Sequence, residues 1–195
     1  SSRASKLMKS KSPLERRQAV SLFMDLVYGK DPKLAKESLY AATYLSYSDG
    51  RYREADSLAK RFLKAYPKDS RVKAVRSILA MSEYRLGRYV AALDFCTDDT
   101  DEWQLLVKAS AHERLGHRAE SRAAAEKALA AFPNGECRTM LEMIVSRLDF
   151  ADAADAKDPE KILNAARRAS ELSKTAADRI RLAWALENAG NQQEA

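Results

Sequence analysis

Residues 39–67 read LYAATYLSYSDGRYREADSLAKRFLKAYP. Leu39, Ala42, Thr43 and Leu45 form one helical stripe before Asp49-Gly50, and Tyr52, Ala55, Ala59, Phe62 and Leu63 form another after it. The stretch is expected to be two amphipathic helices, 33–48 and 52–65, joined by a tight turn and closed by Pro67. Glycine permits the turn backbone, Tyr52 packs beneath it, and Ala55 lets the helices approach. A hairpin of this size cannot bury both apolar faces alone, so it must stack on copies of itself.

Copies are present along the chain. Turn glycines at 50, 87, 116 and 190 lie 37, 29 and 74 residues apart, the last being twice 37. Leu86-Gly87-Arg88-Tyr89 and Leu115-Gly116-His117-Arg118 repeat the turn, and Pro133 follows Gly116 at the spacing that separates Pro67 from Gly50. Further helices are expected at 70–86, 102–115, 118–131, 136–150, 159–172 and 176–189, with a short one from Tyr89 and a loose Asp/Ala connection at 151–157. Ser12-Pro13, Asp31-Pro32 and Asp158-Pro159 read as N-caps followed by proline in the first turn. Pro67 and Pro133 fall just past helix ends. Residues 1–12, rich in Ser, Lys and Arg, are expected to be a flexible basic arm, and 13–195 a helical array. Gly190 is expected to open a last turn, with Gln192–Ala195 starting a truncated repeat.

These residues resemble the tetratricopeptide repeat family in a degenerate, bacterial style. The best match is Leu39, Ala42, Thr43, Gly50, Tyr52, Ala55, Phe62 and Pro67. Weaker matches run through Leu79, Ala80, Gly87, Tyr89 and Ala92, then Leu105, Ala109, Leu115, Gly116, Ala125, Ala128 and Pro133, and lastly Leu182, Ala183, Gly190, Glu194 and Ala195. Arg118 and Gln192 depart from the turn aromatic. The resemblance implies an all-α, right-handed superhelical array of antiparallel helix pairs, whose first helices line a concave, partner-binding groove. Its groove positions fall here on Tyr40, Tyr44, Tyr47, Ser77, Met81, Tyr84, Arg85, Trp103, Leu106, Ser110, Arg114 and Trp184. The rings either pack on neighbouring helices or offer an aromatic surface to an apolar peptide. The Lys and Asn constellation by which some family members hold a terminal carboxylate is replaced by Tyr40, Tyr44 and Ile78.

Composition narrows the function classes. The net charge of +6 comes from 34 basic against 28 acidic side chains, interleaved except in residues 1–17, so no specific nucleic-acid site is expected. Cys96 and Cys137 lack metal-site spacing and are expected to be small packed residues or thiols. His112 and His117, five apart across a turn, are expected not to share a face or to hold a metal. The acidic run Asp98-Asp99-Asp101-Glu102 lacks the glycine and spacing of a calcium loop. With no phosphate loop or nucleophile elbow, no catalytic or cofactor residue is expected. The expected function is a noncatalytic scaffold for a protein or peptide partner, in a bacterial envelope assembly. Alternatives are a ligand carrier serving a transporter, or an assembly domain of a larger protein. No stretch is apolar enough to span a membrane, so a membrane link would need an anchor ahead of Ser1.

Overall fold

The computed structural model describes residues 2–173 and 175–193. Every regular element among them is a helix: α1 Ser2–Met8, α2 Pro13–Val27, α3 Pro32–Ser48, α4 Tyr52–Ala65, α5 Val72–Arg85, α6 Tyr89–Phe95, α7 Glu102–Leu115, α8 Arg118–Ala131, α9 Arg138–Asp155, α10 Pro159–Leu172 and α11 Ala176–Gln193. They form two compact units, residues 1–107 and 108–195, divided within α7. In the first, consecutive helices α1 to α6 pack as antiparallel neighbours and α5 also touches α3; in the second, α8 to α11 pack in sequence. This is helix-pair stacking of the solenoid type.

The hairpin turns share one hydrogen-bond geometry. Gly50 N–H donates to Tyr47 O and Arg51 N–H to Ser46 O; Gly87 and Arg88 repeat this on Tyr84 and Glu83, and Gly116 and His117 on Glu113 and His112. This is the Schellman C-cap, which needs a left-handed residue at its centre. The three glycines have φ of +73, +77 and +77. A fourth such turn occurs where no glycine marks it. Lys157 adopts φ 55 and donates to Ala154 O, while Asp158 N–H donates to Ala153 O.

Three expectations are corrected here. The segment 1–12, expected to be a loose arm, contains α1, because Ala4, Leu7 and Met8 give it a small apolar stripe that joins the core of the first unit. The 151–157 connection is helical to Asp155, with Ala153 buried beside Ile162 and Ala166 of α10. Gly190 makes no turn, since α11 runs through it to Gln193. An isolated glycine weakens a helix by only about 1 kcal/mol, too little to end one by itself. The expected caps, by contrast, are present. Asp31 Oδ1 accepts from Lys33 and Leu34 N–H at 2.9 and 3.1 Å, and Asp158 Oδ1 from Lys161 N–H at 3.1 Å.

The core of the first unit joins Val20 and Phe23 of α2, Leu39, Ala42 and Leu45 of α3, Ala59 and Phe62 of α4, and Val75 and Leu79 of α5. Phe62 is fully buried, a side chain whose removal from water contributes about 2–3 kcal/mol. Leu14 and Ile180 are 67% and 68% exposed although both are large and apolar, and Leu186 is also exposed. Among the described apolar side chains of α11, the small Ala185 is the buried one.

Candidate functional site

In the first unit, α3, α5 and the start of α7 meet side by side. Tyr47 of α3 donates its hydroxyl to Met81 Sδ of α5 at 3.2 Å. On α5, Ser77 Oγ lies 3.1 Å from Asp101 Oδ2 and accepts from Gln104 Nε2 of α7 at 3.1 Å. Gln104, itself fully buried, accepts from Asp98 N–H at 2.9 Å. These bonds bring the first helices of successive hairpins into register, and most of the expected groove residues of this unit lie on them.

The expected set then separates by exposure. Tyr40 is half-buried, its ring 6.1 Å from that of Phe62 with the Arg71 guanidinium 5.2 Å from its centroid. Tyr47 meets Tyr52, and Tyr84 meets Tyr89, as tilted ring pairs across their hairpin turns at 5.8 and 5.5 Å. Met81, Trp103 and Leu106 are half-buried, and Ser77 is buried and committed to α7. Arg85 is exposed, with its guanidinium 5.9 Å from the Tyr52 ring. Tyr44 alone among the three α3 tyrosines is largely open, at 52% exposure. It lies four residues after Tyr40 and three before Tyr47, on their helix face.

In the second unit the remaining positions have other surroundings. Trp184 is 47% exposed and sets its ring edge-on to Phe150 at 6.0 Å. Ser110 is buried, and Arg114 is exposed beside a cleft of about 490 Å³ lined also by Glu113, Arg147, Thr175, Asp178 and Arg181. Here α7, α9 and α11 are joined by charge. Arg147 reaches both Glu113 oxygens at 3.2 and 3.3 Å and Asp178 at 3.5 Å, while Arg181 meets Asp178 at 2.6 Å. Asp178 is almost wholly buried. Burial pushes its carboxyl upward, but hydrogen bonds from Thr175 and Ser173 and the charges of Arg147 and Arg181 outweigh that and hold it below the usual carboxylate value.

Sequence spacing did not reveal two polar clusters in the first unit. Asp69, between α4 and α5, receives Lys36 at 2.8 Å and Arg71 at 2.8 Å, which hold its carboxyl far below the ordinary range. Arg71 in turn covers Tyr40 and Phe62. Lys60 of α4 bridges Asp56 and the buried Glu83, each at 2.7 Å, and Arg88 meets Glu83 at 3.2 Å. Burial raises the Asp56 carboxyl; for Glu83 burial acts the same way, but its bonds to Lys60, Asp56 and Arg88 bring it lower. The acidic run before α7 is absorbed locally. Asp98 accepts from Thr100 and meets Lys73 at 3.0 Å, which holds it down to about 2, and Asp101 caps Gln104 N–H at 2.9 Å.

The histidines depart from expectation. The Gly116 turn folds His117 back on His112, with Nδ1 atoms 3.3 Å apart. The Schellman turn places residues five apart side by side, as it does for the Glu83–Arg88 ion pair. Both cysteines are buried thiols. No helix among the described residues is long and apolar enough to cross a membrane. No protein-family model matches the chain, and no curated protein does.

Proposed function

We propose that this protein is a noncatalytic helical scaffold that takes an apolar or amphipathic peptide segment of a partner protein on the α3–α5–α7 face of its first unit. The supporting observation is Tyr44, an exposed ring on a helix whose two neighbouring tyrosines are anchored by Phe62 and by Met81. A rigid aromatic with few free torsions gives contact area at low entropic cost, which is why Tyr recurs at interface hot spots. Tyr47, Met81, Tyr84 and Trp103 extend the surface as partly open side chains, in the manner of grooves that accept amphipathic helices. The resemblance to tetratricopeptide repeats supports the same mode of binding by analogy of fold. A bacterial envelope setting rests on that resemblance alone, and cell fractionation with an antibody to the protein tests it.

Peptide selection tests the binding mode. Peptides selected from a random displayed library on the full chain should be apolar or amphipathic, and their binding should weaken about tenfold or more in Tyr44→Ala, as expected for a hot-spot ring. Because Tyr44 is exposed, the variant keeps its helical circular dichroism. Peptides that bind Tyr44→Ala as tightly as the unaltered protein would move the site off this face.

A further inference from the structure

We propose that His112 and His117 chelate a divalent first-row transition-metal ion, such as Zn²⁺, through their Nδ1 atoms at the turn between α7 and α8. The pair is built by the backbone. His117 N–H donates to His112 O at 2.9 Å, and this 6→1 bond fixes the Cα atoms that carry the two rings. The ring centroids are then 5.6 Å apart with planes inclined at 44°, and the Nδ1 atoms face each other at 3.3 Å.

That separation is informative. Two nitrogens bound about 2.0–2.1 Å from a tetrahedral zinc ion lie about 3.3–3.4 Å from each other. The edge of such a site is therefore already formed in this turn. Imidazole nitrogen is a favoured donor for Zn²⁺, Ni²⁺ and Cu²⁺. The equivalent slot of the preceding turn holds Glu83 and Arg88, whose opposite charges satisfy each other. Two imidazoles at this distance share a proton in an Nδ1–H···Nδ1 hydrogen bond, and a metal ion would take that proton's place once both Nδ1 atoms are unprotonated.

Burial lowers the His112 pKa, Glu120 raises it, and His117 and Lys108 lower it further. Among the described residues no group of three or more His, Cys, Asp and Glu side chains converges on one point. The other coordination positions thus fall to water, with the charge of the exposed Glu120 carboxylate felt at His112.

Calorimetric titration of the full chain with zinc chloride at neutral pH tests the site. One equivalent should bind, His112→Gln and His117→Gln should each weaken it about tenfold or more, and lowering the pH to about 5.5 should do the same because protons compete for the ligand nitrogens. In the unaltered protein the same equivalent should shift the ring-proton resonances of both histidines, a readout independent of how the variants fold. Absence of uptake at millimolar zinc, uptake that survives either substitution, or uptake that leaves the histidine resonances unmoved would overturn the assignment.

Discussion

Lys157 occupies a position that three other turns give to glycine, and replacing it should stabilise the protein. Its φ of 55 is left-handed, a conformation that costs an L-residue about 1–2 kcal/mol. The side chain is exposed, so few contacts are lost with it. Lys157→Gly relieves the strain but loosens the unfolded chain, which takes back about 0.4–1 kcal/mol. The expected net gain is about 0.5–1 kcal/mol. The reverse experiment is available at Gly87, where an added Cβ meets nothing within 4 Å at φ +77. With no clash to confuse the result, Gly87→Ala should lose about 0.5–1 kcal/mol, from the same two quantities with signs exchanged. Gly87→Asn should lose less, since a short amide tolerates the left-handed region. Urea unfolding followed by circular dichroism reads all three, with the slope unchanged so that midpoints report stability. A destabilised Lys157→Gly, or a Gly87→Ala at least as stable as the unaltered protein, would refute the reading of these turns as left-handed Schellman caps.

Other outcomes follow from burial and charge. Phe62→Ala should cost about 3–5 kcal/mol, read as a lowered urea midpoint, because the ring is fully buried between α3 and α5 contacts. Tyr44→Ala should leave that midpoint within about 0.5 kcal/mol, which separates its effect on peptide binding from any effect on folding. Asp178→Asn should cost about 2 kcal/mol at neutral pH by weakening the bonds to Thr175, Arg181 and Arg147. The native carboxyl titrates below its unfolded value of 3.8, so its stabilisation is present above that pH and is lost as pH falls through the native value. Urea midpoints of the two proteins should therefore converge in acid, and a gap that stays constant below pH 3.8 would contradict the role given to the carboxylate.

Local signals carried most of the architecture. Prolines, their Ser or Asp caps, and apolar stripes at helical spacing mark where helices start and stop, because capping and backbone sterics act within a few residues. Gly50, Gly87 and Gly116 were legible as turns for the same reason. Lys157 was not, since any residue can be forced left-handed when the helices on either side, here α9 and α10 joined through Ala153, Ile162 and Ala166, are already packed. Gly190 erred in the other direction: a residue permissive of a turn does not impose one.

The candidate surface was legible only as a list of positions. Helical spacing places Tyr40, Tyr44 and Tyr47 on one face of the 39–67 hairpin, yet it cannot distinguish a ring held by Phe62 or Met81 from one left open. Exposure depends on residues in other helices, such as Phe62 for Tyr40 and Met81 for Tyr47, and that only the packed helices decide. The same limit hid the Asp178–Arg147–Glu113 chain and the meeting of His112 with His117. Helical periodicity describes neighbours within one helix, whereas a turn or a neighbouring helix sets side chains together by geometry that no single stripe encodes. The sequence alone determined most of the helices and the glycine turns between them; the tertiary structure decided the remaining boundaries and which side chains stay available to bind.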